Sequence, residues 1–289
     1  MNITSETGYK RLTILGCGSS GGVPRANGDW GACDPENPKN RRRRCSLLVE
    51  RAQTRADMDE GEAVTRVVID VSPDFREQML SANVPRIDAV LITHDHADQT
   101  HGMDDLRAFA LSQRMRIPVW MDEATAETLL VRFGYAYNAK PGSPYPSILD
   151  RRMMPDHGSV VEIDGPGGVI NCIPFDQEHG SIRSLGFRFD DIAYSADVNG
   201  VPDESYDILS GIKAWILDAL RPETHPTHFG VTDALAALDR AQVETGILTN
   251  LHIPLDYDQL NASLPDHIQC AFDGIQISSE GGFVSIEQD

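Results

Sequence analysis

Short apolar runs rich in β-branched residues recur along the chain, and clusters of turn residues separate them. Runs of this kind are typical of wholly or partly buried strands. Helical spacing of apolar residues predicts helices over residues 75–80 and 232–241, and a further helix after Gly102. The predicted strands cover residues 12–15, 46–49, 67–70, 89–92, 159–163, 168–172, 185–189, 192–195 and 214–217.

Both halves of the chain therefore mix strands with helices, which predicts a mixed α/β fold. The polar stretches 51–63 and 134–155 look like loops inside one domain, because neither side of them carries a self-sufficient set of motifs. We expect a single domain over residues 1–289, a length at which one two-sheet domain can bury a large core.

The composition is typical of a folded protein, with 40% hydrophobic and 24% charged residues. No stretch approaches the roughly 20 apolar residues that span a bilayer. The first residues lack a basic segment followed by an apolar core, so we expect a cytoplasmic protein without a membrane partner. The five cysteines are scattered and form no C-x-x-C pair, which indicates reduced, mostly structural thiols.

The formal net charge of −19 argues against binding a long nucleic acid, which requires clustered Lys and Arg to neutralise many phosphates. A small substrate is easier to accept. If that substrate carries phosphate, bound metal ions and a local basic patch must attract it against the overall field. The sequence leaves the oligomeric state open, and a homodimer is compatible with it.

The sharpest candidate chemistry lies at His94 and His96, directly after an apolar strand that we expect to be buried on both faces. Two residues apart in an extended loop, these side chains project to the same side and can chelate one ion. Asp98 lies two residues further on and can reach a second ion, since carboxylate oxygen and imidazole nitrogen both suit Mn, Fe or Zn. The alternative for a lone His-x-His pair is a polar loop, but the whole H-x-H-x-D string is a stronger signal.

Residues 93–98 resemble the signature H-x-H-x-D-H of the metallo-β-lactamase superfamily. Gln99 stands where that family has its third histidine, and a neutral amide oxygen is a poorer ligand than imidazole. The resemblance thus implies a second metal position that is weak, differently built with His101 as a local substitute, or lost. It also implies a four-layer αββα sandwich that holds one or two divalent ions, Mn or Zn.

Other parts of the chain fit the same superfamily in sequence order. Asp70 resembles the buried aspartate that braces the histidine loop. His179 resembles the next metal histidine, Asp197 the carboxylate that bridges both ions, and His252 the last metal ligand. The resemblance implies a first site of His94, His96, His179 and Asp197, and a second site built from Asp98, Asp197 and His252.

The N-terminal segments 15–25, 30–34 and 40–46 narrow the resemblance to the branch that contains phosphoribosyl 1,2-cyclic phosphate phosphodiesterase, close to ribonuclease Z and the coenzyme-PQQ synthesis protein B. The resemblance covers nearly the whole chain. The cysteine-rich structural zinc loop of that phosphodiesterase is missing, however, since only Cys33 occupies the stretch.

Candidate substrate contacts come from three segments. The glycine-rich turn brings Ser19 and Ser20 as donors to an anion, although a plain tight turn is the simpler explanation. The basic run 39–44 offers Arg41 for phosphate, although such runs are usually solvated. Residues 221–228 precede a helix whose N-terminus favours an anion. In the related phosphodiesterases a histidine upstream of the last metal ligand assists the leaving group; His228 matches it best, with His225 in reserve.

The sequence thus predicts a metal-dependent phosphodiesterase that attacks a small cyclic phosphodiester or nucleotide with a metal-activated hydroxide. The expected catalytic residues are Asp98, Asp197 and His228, which stabilises charge or protonates the departing oxygen. Two alternatives remain. One is a nuclease or thiolester hydrolase of the same fold, and the other is a non-enzymatic metal-containing carrier similar to coenzyme-PQQ synthesis protein B.

Overall fold

The computed structural model describes residues 8–287, and two sheets dominate that part of the chain. The strands are β1 (Tyr9–Gly16), β2 (Ser46–Ala52), β3 (Thr65–Ile69), β4 (Ala89–Leu91), β5 (Ile117–Met121), β6 (Leu149–Met153), β7 (Val161–Ile163), β8 (Ile170–His179), β9 (Ile182–Phe189), β10 (Ile192–Ser195), β11 (Ala214–Asp218), β12 (Thr245–Thr249), β13 (Ile268–Cys270), β14 (Gln276–Glu280) and β15 (Phe283–Glu287). The α-helices are α1 (Arg55–Glu60), α2 (Phe75–Ser81), α3 (Ala97–Thr100), α4 (Leu106–Gln113), α5 (Glu123–Tyr137), α6 (Asp203–Leu209), α7 (Val231–Ala241) and α8 (Tyr257–Asn261). Short 3-10 turns lie at Pro38–Asn40 and Met103–Asp105.

The first sheet has the strand order β15-β14-β1-β2-β3-β4-β5-β6, and the second β13-β12-β11-β10-β9-β8-β7. Pairing from β3 through β6 and from β10 through β13 is parallel, whereas the other pairs are antiparallel. Every residue of β3 and β4 is buried. This is expected, because parallel strands in the middle of a sheet are covered on both faces and carry continuous apolar runs.

Three apolar cores join the layers. Between the sheets, Leu47 packs in one buried cluster with Phe187. On the outer face of the first sheet, Val90 belongs to a cluster with the buried residues of α2, α4 and α5. On the outer face of the second sheet, Trp215 and Leu238 belong to a cluster that includes α7 and α8. The order of layers is helix, sheet, sheet, helix, which confirms the predicted αββα sandwich.

Two predicted loops are wrong in part. The stretch 51–63 contains the end of β2 and α1, and the stretch 134–155 contains the end of α5 and β6. Helix α1 begins with a capping box. The Thr54 side chain accepts a hydrogen bond from the backbone N–H of Asp57, and the Asp57 carboxylate accepts one from the backbone N–H of Thr54. Strand β6 is harder to find, because it lies at the edge of its sheet and three of its five side chains are charged, two arginines and an aspartate.

Further differences are shifts of boundaries. The predicted strand 159–163 corresponds to β7, which is shorter and starts at Val161. The predicted strand 168–172 corresponds to β8, which starts at Ile170 and continues to His179. Strand β3 ends one residue before Asp70, which adopts a left-handed backbone with φ 60°. Within residues 8–287, no helix is both long enough and apolar enough to cross a bilayer.

Candidate metal centre

The histidine pair follows β4 directly. His94 and His96 stand between that strand and α3, and their ring centroids are 4.5 Å apart. Thr93 Oγ1 lies 2.9 Å from His94 Nδ1 and itself donates to Asp70 Oδ2 at 2.8 Å. Because this hydroxyl donates to the carboxylate, it accepts from His94, which leaves the lone pair of His94 on Nε2.

A third histidine arrives from the other sheet. His179 is the last residue of β8, and its Nδ1 donates to the carbonyl oxygen of Thr227 at 2.6 Å. The Nε2 atom therefore carries the lone pair, and it lies 3.3 Å from His96 Nδ1. Burial lowers the pKa of His179 to about 4, so that the ring is neutral and able to bind a cation.

Asp197 completes this group two residues beyond β10. Its Oδ2 lies 3.5 Å from His94 Nε2 and 3.9 Å from His179 Nε2. One ligand atom from each of His94, His96, His179 and Asp197 falls within 4.8 Å of the others. Three nitrogens and one oxygen at this spacing match the ligand set of a tetrahedral or five-coordinate transition-metal site.

The chemistry of these groups fits a divalent ion. His94 Nε2 is buried and has no hydrogen-bond partner among residues 8–287, although it faces the other three ligands. Burial and the neighbouring imidazoles of His96 and His179 lower the pKa of His94. Burial and the charge of Asp98 raise the pKa of Asp197 to about 8. A cation would satisfy the orphaned nitrogen and stabilise the carboxylate at once.

Asp70 braces the histidine loop, as predicted. Its Oδ1 accepts from the backbone N–H of Thr93 at 2.8 Å, while its Oδ2 accepts from the Thr93 hydroxyl. Asp70 is fully buried, and burial raises its pKa well above the usual range. The two hydrogen bonds fix the chain just before His94, and the Thr93 hydroxyl sets the tautomer of that ring.

We expect Asp70→Asn to weaken metal affinity by about 10- to 100-fold, the usual cost of losing a group that orients a ligand. The amide would turn a donor toward the two Thr93 donors, and the His94 tautomer would no longer be fixed. Calorimetric titration of the metal-free protein measures the change. The matched control is Asp74→Asn, since Asp74 accepts from the backbone of Arg44 instead. Equal affinities in both variants and the wild type would refute the bracing role.

His228 forms a tight pair with a buried carboxylate that the sequence did not single out. Its Nδ1 lies 2.8 Å from Asp218 Oδ2, and Asp218 ends β11 with no exposed surface. Burial alone lowers the pKa of His228, but the hydrogen bond and charge of Asp218, with the charges of Asp197 and Asp98, raise it to about 9. The pair with Asp218 thus favours the protonated form of His228, whose ring centroid lies 4.7 Å from that of His179.

A cavity of about 560 Å³ opens over these groups, within the usual size of a small-molecule site. Among the predicted site residues, it is lined by Ser19, Ser20, His96, Asp98, His179, Asp197, His225, His228 and His252. Arg221, from the predicted substrate segment 221–228, lines it as well, and so does Asn250, which was not predicted.

His252 lies in this cavity but outside the four-residue ligand group. Ser19 Oγ is 2.7 Å from its Nδ1, and an Arg25 guanidinium nitrogen is 2.7 Å from its Nε2. Both ring nitrogens therefore have partners, and one of them faces a permanent cation. The predicted ligand role of His252 is not supported by this geometry, which suits a wall of the substrate pocket instead.

The remaining predictions fare differently. Asp98 lines the cavity but does not join the ligand group. His101 is exposed and packs edge-on against Phe133, so the structure does not bring this possible local substitute to the ligand group. Arg41 lines a different surface pocket and stacks over Trp30, so the structure does not bring it to the substrate site.

The most important residue that the sequence reasoning missed is Asn250. It follows β12 directly, is 2% exposed, and adopts a left-handed backbone with φ 59°. Asparagine adopts this conformation more readily than most non-glycine residues, so the chain can turn sharply here at the end of the strand. Its side chain donates to Asp197 Oδ1 at 3.1 Å. The signal in the sequence was its place at the end of an apolar strand, the same place that His94 and Asp197 occupy.

Comparison with known proteins agrees with this architecture. A family model described as a beta-lactamase superfamily domain matches residues 65–253. A solved structure titled as a new diphosphatase from the PhnP family is 30% identical, with a TM-score of 0.80 and coverage of 96% of this chain and 99% of that one.

Two further relatives are more distant or longer. Zn²⁺-bound PqqB from Methylobacterium extorquens, 17% identical with a TM-score of 0.66, covers 92% of this chain and 99% of its own, and supports the fold alone. A curated protein from Porphyromonas gingivalis named octanoyltransferase is 29% identical over 273 residues, which are 92% of this chain and 51% of that protein. The chain thus spans about half the length of that curated relative. Taken with the fold and the metal-ligand cluster, the family model and the diphosphatase establish that this chain belongs to the metallo-β-lactamase superfamily.

Proposed function

We propose that this protein is a metal-dependent phosphodiesterase that hydrolyses a small cyclic phosphodiester or nucleotide. The observation that carries the proposal is the cavity, which has metal-binding side chains on one wall and a protonated histidine paired with a buried carboxylate on another. A metal ion and a cationic donor that face the same small cavity would stabilise an anionic substrate group whose negative charge increases during the reaction.

The charge around the cavity favours a phosphate despite the net charge of −19. Three cationic side chains lie at or beside the cavity, those of Arg221, Arg25 and protonated His228. The Ser19 hydroxyl also lies there and is hydrogen bonded to His252. Arginine forms strong charge-assisted hydrogen bonds with phosphoryl oxygens. The attraction is local, because surface charges beyond about 8–10 Å are screened at physiological salt.

A bound divalent ion supplies polarisation of a phosphoryl oxygen and activation of water. The protein supplies the remaining functions. Asp70 and Thr93 orient His94, and the Thr227 carbonyl orients His179. Asp218 holds the Nδ1 proton of His228, which leaves Nε2 as the nitrogen for the substrate. His228 then donates a hydrogen bond to the developing negative charge or a proton to the departing oxygen.

The size and charge of the site favour a small substrate over an RNA. The cavity volume of about 560 Å³ suits a ligand of nucleotide size, and the acidic surface repels a long polyanion. The relative titled as a diphosphatase also supports phosphoester chemistry for this site. The name octanoyltransferase belongs to a protein about twice as long, so acyl chemistry enters only as a competitor in the assay.

The test is a substrate panel with metal-loaded protein and an EDTA-treated control. It compares a cyclic ribose phosphate, a 2′,3′-cyclic nucleotide, a linear diphosphate, a thiolester and a precursor tRNA. We expect metal-dependent turnover of the cyclic phosphodiesters above the others. Faster cleavage of the thiolester would identify a thiolester hydrolase, and faster cleavage of the tRNA would identify a nuclease. Bound metal without turnover of any phosphoester would favour a non-enzymatic metal-containing carrier.

A further inference from the structure

The two carboxylate oxygens of Asp197 face different neighbours. Oδ2 faces the nitrogens of His94 and His179 in the ligand group, at 3.5 and 3.9 Å. Oδ1 faces away from that group and accepts from two side-chain amides, Gln99 Nε2 at 3.3 Å and Asn250 Nδ2 at 3.1 Å. One oxygen is thus available to an ion, and N–H donors cover the other.

The orientation of both amides follows from their surroundings. A carboxylate oxygen repels an amide oxygen, so Gln99 and Asn250 must both turn their NH₂ groups toward Asp197. Asn250 Nδ2 also approaches His228 Nδ1 at 3.2 Å, but that nitrogen donates to Asp218 and cannot accept. The Asn250 amide is therefore oriented by two carboxylates, Asp197 through its Oδ1 and Asp218 beside it.

These donors occupy the position that a bridging carboxylate offers to a second cation. Gln99 and Asn250 are 1% and 2% exposed, so both amides pack against Asp197 inside the protein and are shielded from water. Gln99 Oε1 is buried without a hydrogen-bond partner in the described part of the chain, and the surrounding protein does not pull it toward another rotamer. An ion placed at Oδ1 would meet the positive ends of two amide dipoles.

The other candidate ligands of a second ion do not compensate. Asp98 lies outside the ligand group, and His252 is engaged through both ring nitrogens by Ser19 and Arg25. His101 is exposed beside Phe133. Asp98 alone would be left to bind the ion, and a single carboxylate is a weak site for a divalent cation.

We infer that this protein works with a single metal ion, held by His94, His96, His179 and Asp197, and that Gln99 and Asn250 take the place of a second ion by hydrogen bonding Asp197 Oδ1. The inference rests on the metal site of the proposed function but is independent of the substrate. The positive charge that a second ion would bring to the cavity comes instead from His228 and the nearby arginines.

The test counts metal in the purified full-length chain. Metal-free protein is loaded with excess Zn²⁺ or Mn²⁺, freed of unbound ion by gel filtration, and measured by elemental mass spectrometry, with calorimetry for affinity. We expect one ion per chain. Two tightly bound ions would overturn the inference and leave the proposed function standing, whereas no bound ion would overturn the metal centre and the proposed function together.

Variants test whether the amides are the cause. The double variant Gln99→His, Asn250→His supplies two imidazoles around Asp98 and Asp197, and we expect it to bind two ions per chain. If it folds, as judged by circular dichroism, and still binds one, the amides do not exclude the second ion and the inference fails. The matched control is His252→Ala, expected to bind one ion; a loss of metal there would make His252 a ligand and contradict the inference.

Discussion

Replacing Asp197 by alanine is expected to abolish metal binding and hydrolysis together. The change removes the only carboxylate of the ligand group, whose other three members are imidazoles. A bound ion contributes several kcal/mol of transition-state stabilisation, so we expect turnover to fall by about 10³-fold or more. Elemental analysis and the phosphodiester assay on the same preparation measure both effects.

Two companion variants keep this result interpretable. Asp197→Asn retains the shape of the side chain and most of its packing, so a loss of metal in a folded Asp197→Asn protein cannot be attributed to unfolding. Asp203→Ala removes an exposed carboxylate of α6 and should change neither quantity. Full metal content with normal turnover in Asp197→Asn would mean that the ion, if catalytic, binds elsewhere.

Replacing His228 by alanine is expected to slow turnover by about 10²- to 10⁴-fold, the usual contribution of a positioned acid or base. The metal content should stay unchanged, because His228 does not belong to the ligand group. The effect should fall on kcat more than on KM, since the developing charge exists in the transition state and not in the bound substrate.

Asp218→Asn tests the origin of the same effect. Without the buried carboxylate, the pKa of His228 should fall, and the ring should lose both its charge and its fixed Nδ1 proton. We expect slower turnover at unchanged metal content. His267→Ala replaces an exposed histidine outside the cavity and serves as the control. Normal kcat in His228→Ala would remove this residue from the mechanism.

Ligands that lie close together in the sequence could be predicted, because a short separation along the chain determines how their side chains are placed relative to each other. His94 and His96 lie two residues apart after a buried strand, and the structure brings their rings together. His179 and Asp197 are far from them in sequence, so no spacing rule joins them. Their prediction depended on the order of motifs along a recognised family, and the structure gathers all four.

On the far side of the site, the ligand role of His252 came from the resemblance, which implies a last metal histidine near the C-terminus. The ligand group in the structure does not include His252. The first residue past β12 is Asn250, however, and the end of that strand directs this side chain toward Asp197. The sequence could not decide between positions two residues apart, since the exact end of a strand depends on its neighbours in the sheet.

The same limit explains the elements that were missed. Strands β6 and β15 form the two edges of the first sheet, where one face is only partly covered, and neither carries a continuous buried apolar run. The buried central strands β3, β4 and β11 were predicted almost residue by residue, because burial on both faces demands continuous apolar runs. Strands β5 and β12 also lie inside their sheets but were not predicted, since Pro118 interrupts the first and Gly246 the second.

The most direct test of the central claim is turnover of a cyclic phosphodiester by metal-free protein during stepwise addition of Zn²⁺ or Mn²⁺. The account predicts about 1% or less of full activity without metal, and a rise that saturates as the four-residue site fills. Full turnover by the metal-free protein, or no turnover at saturating metal, would contradict it.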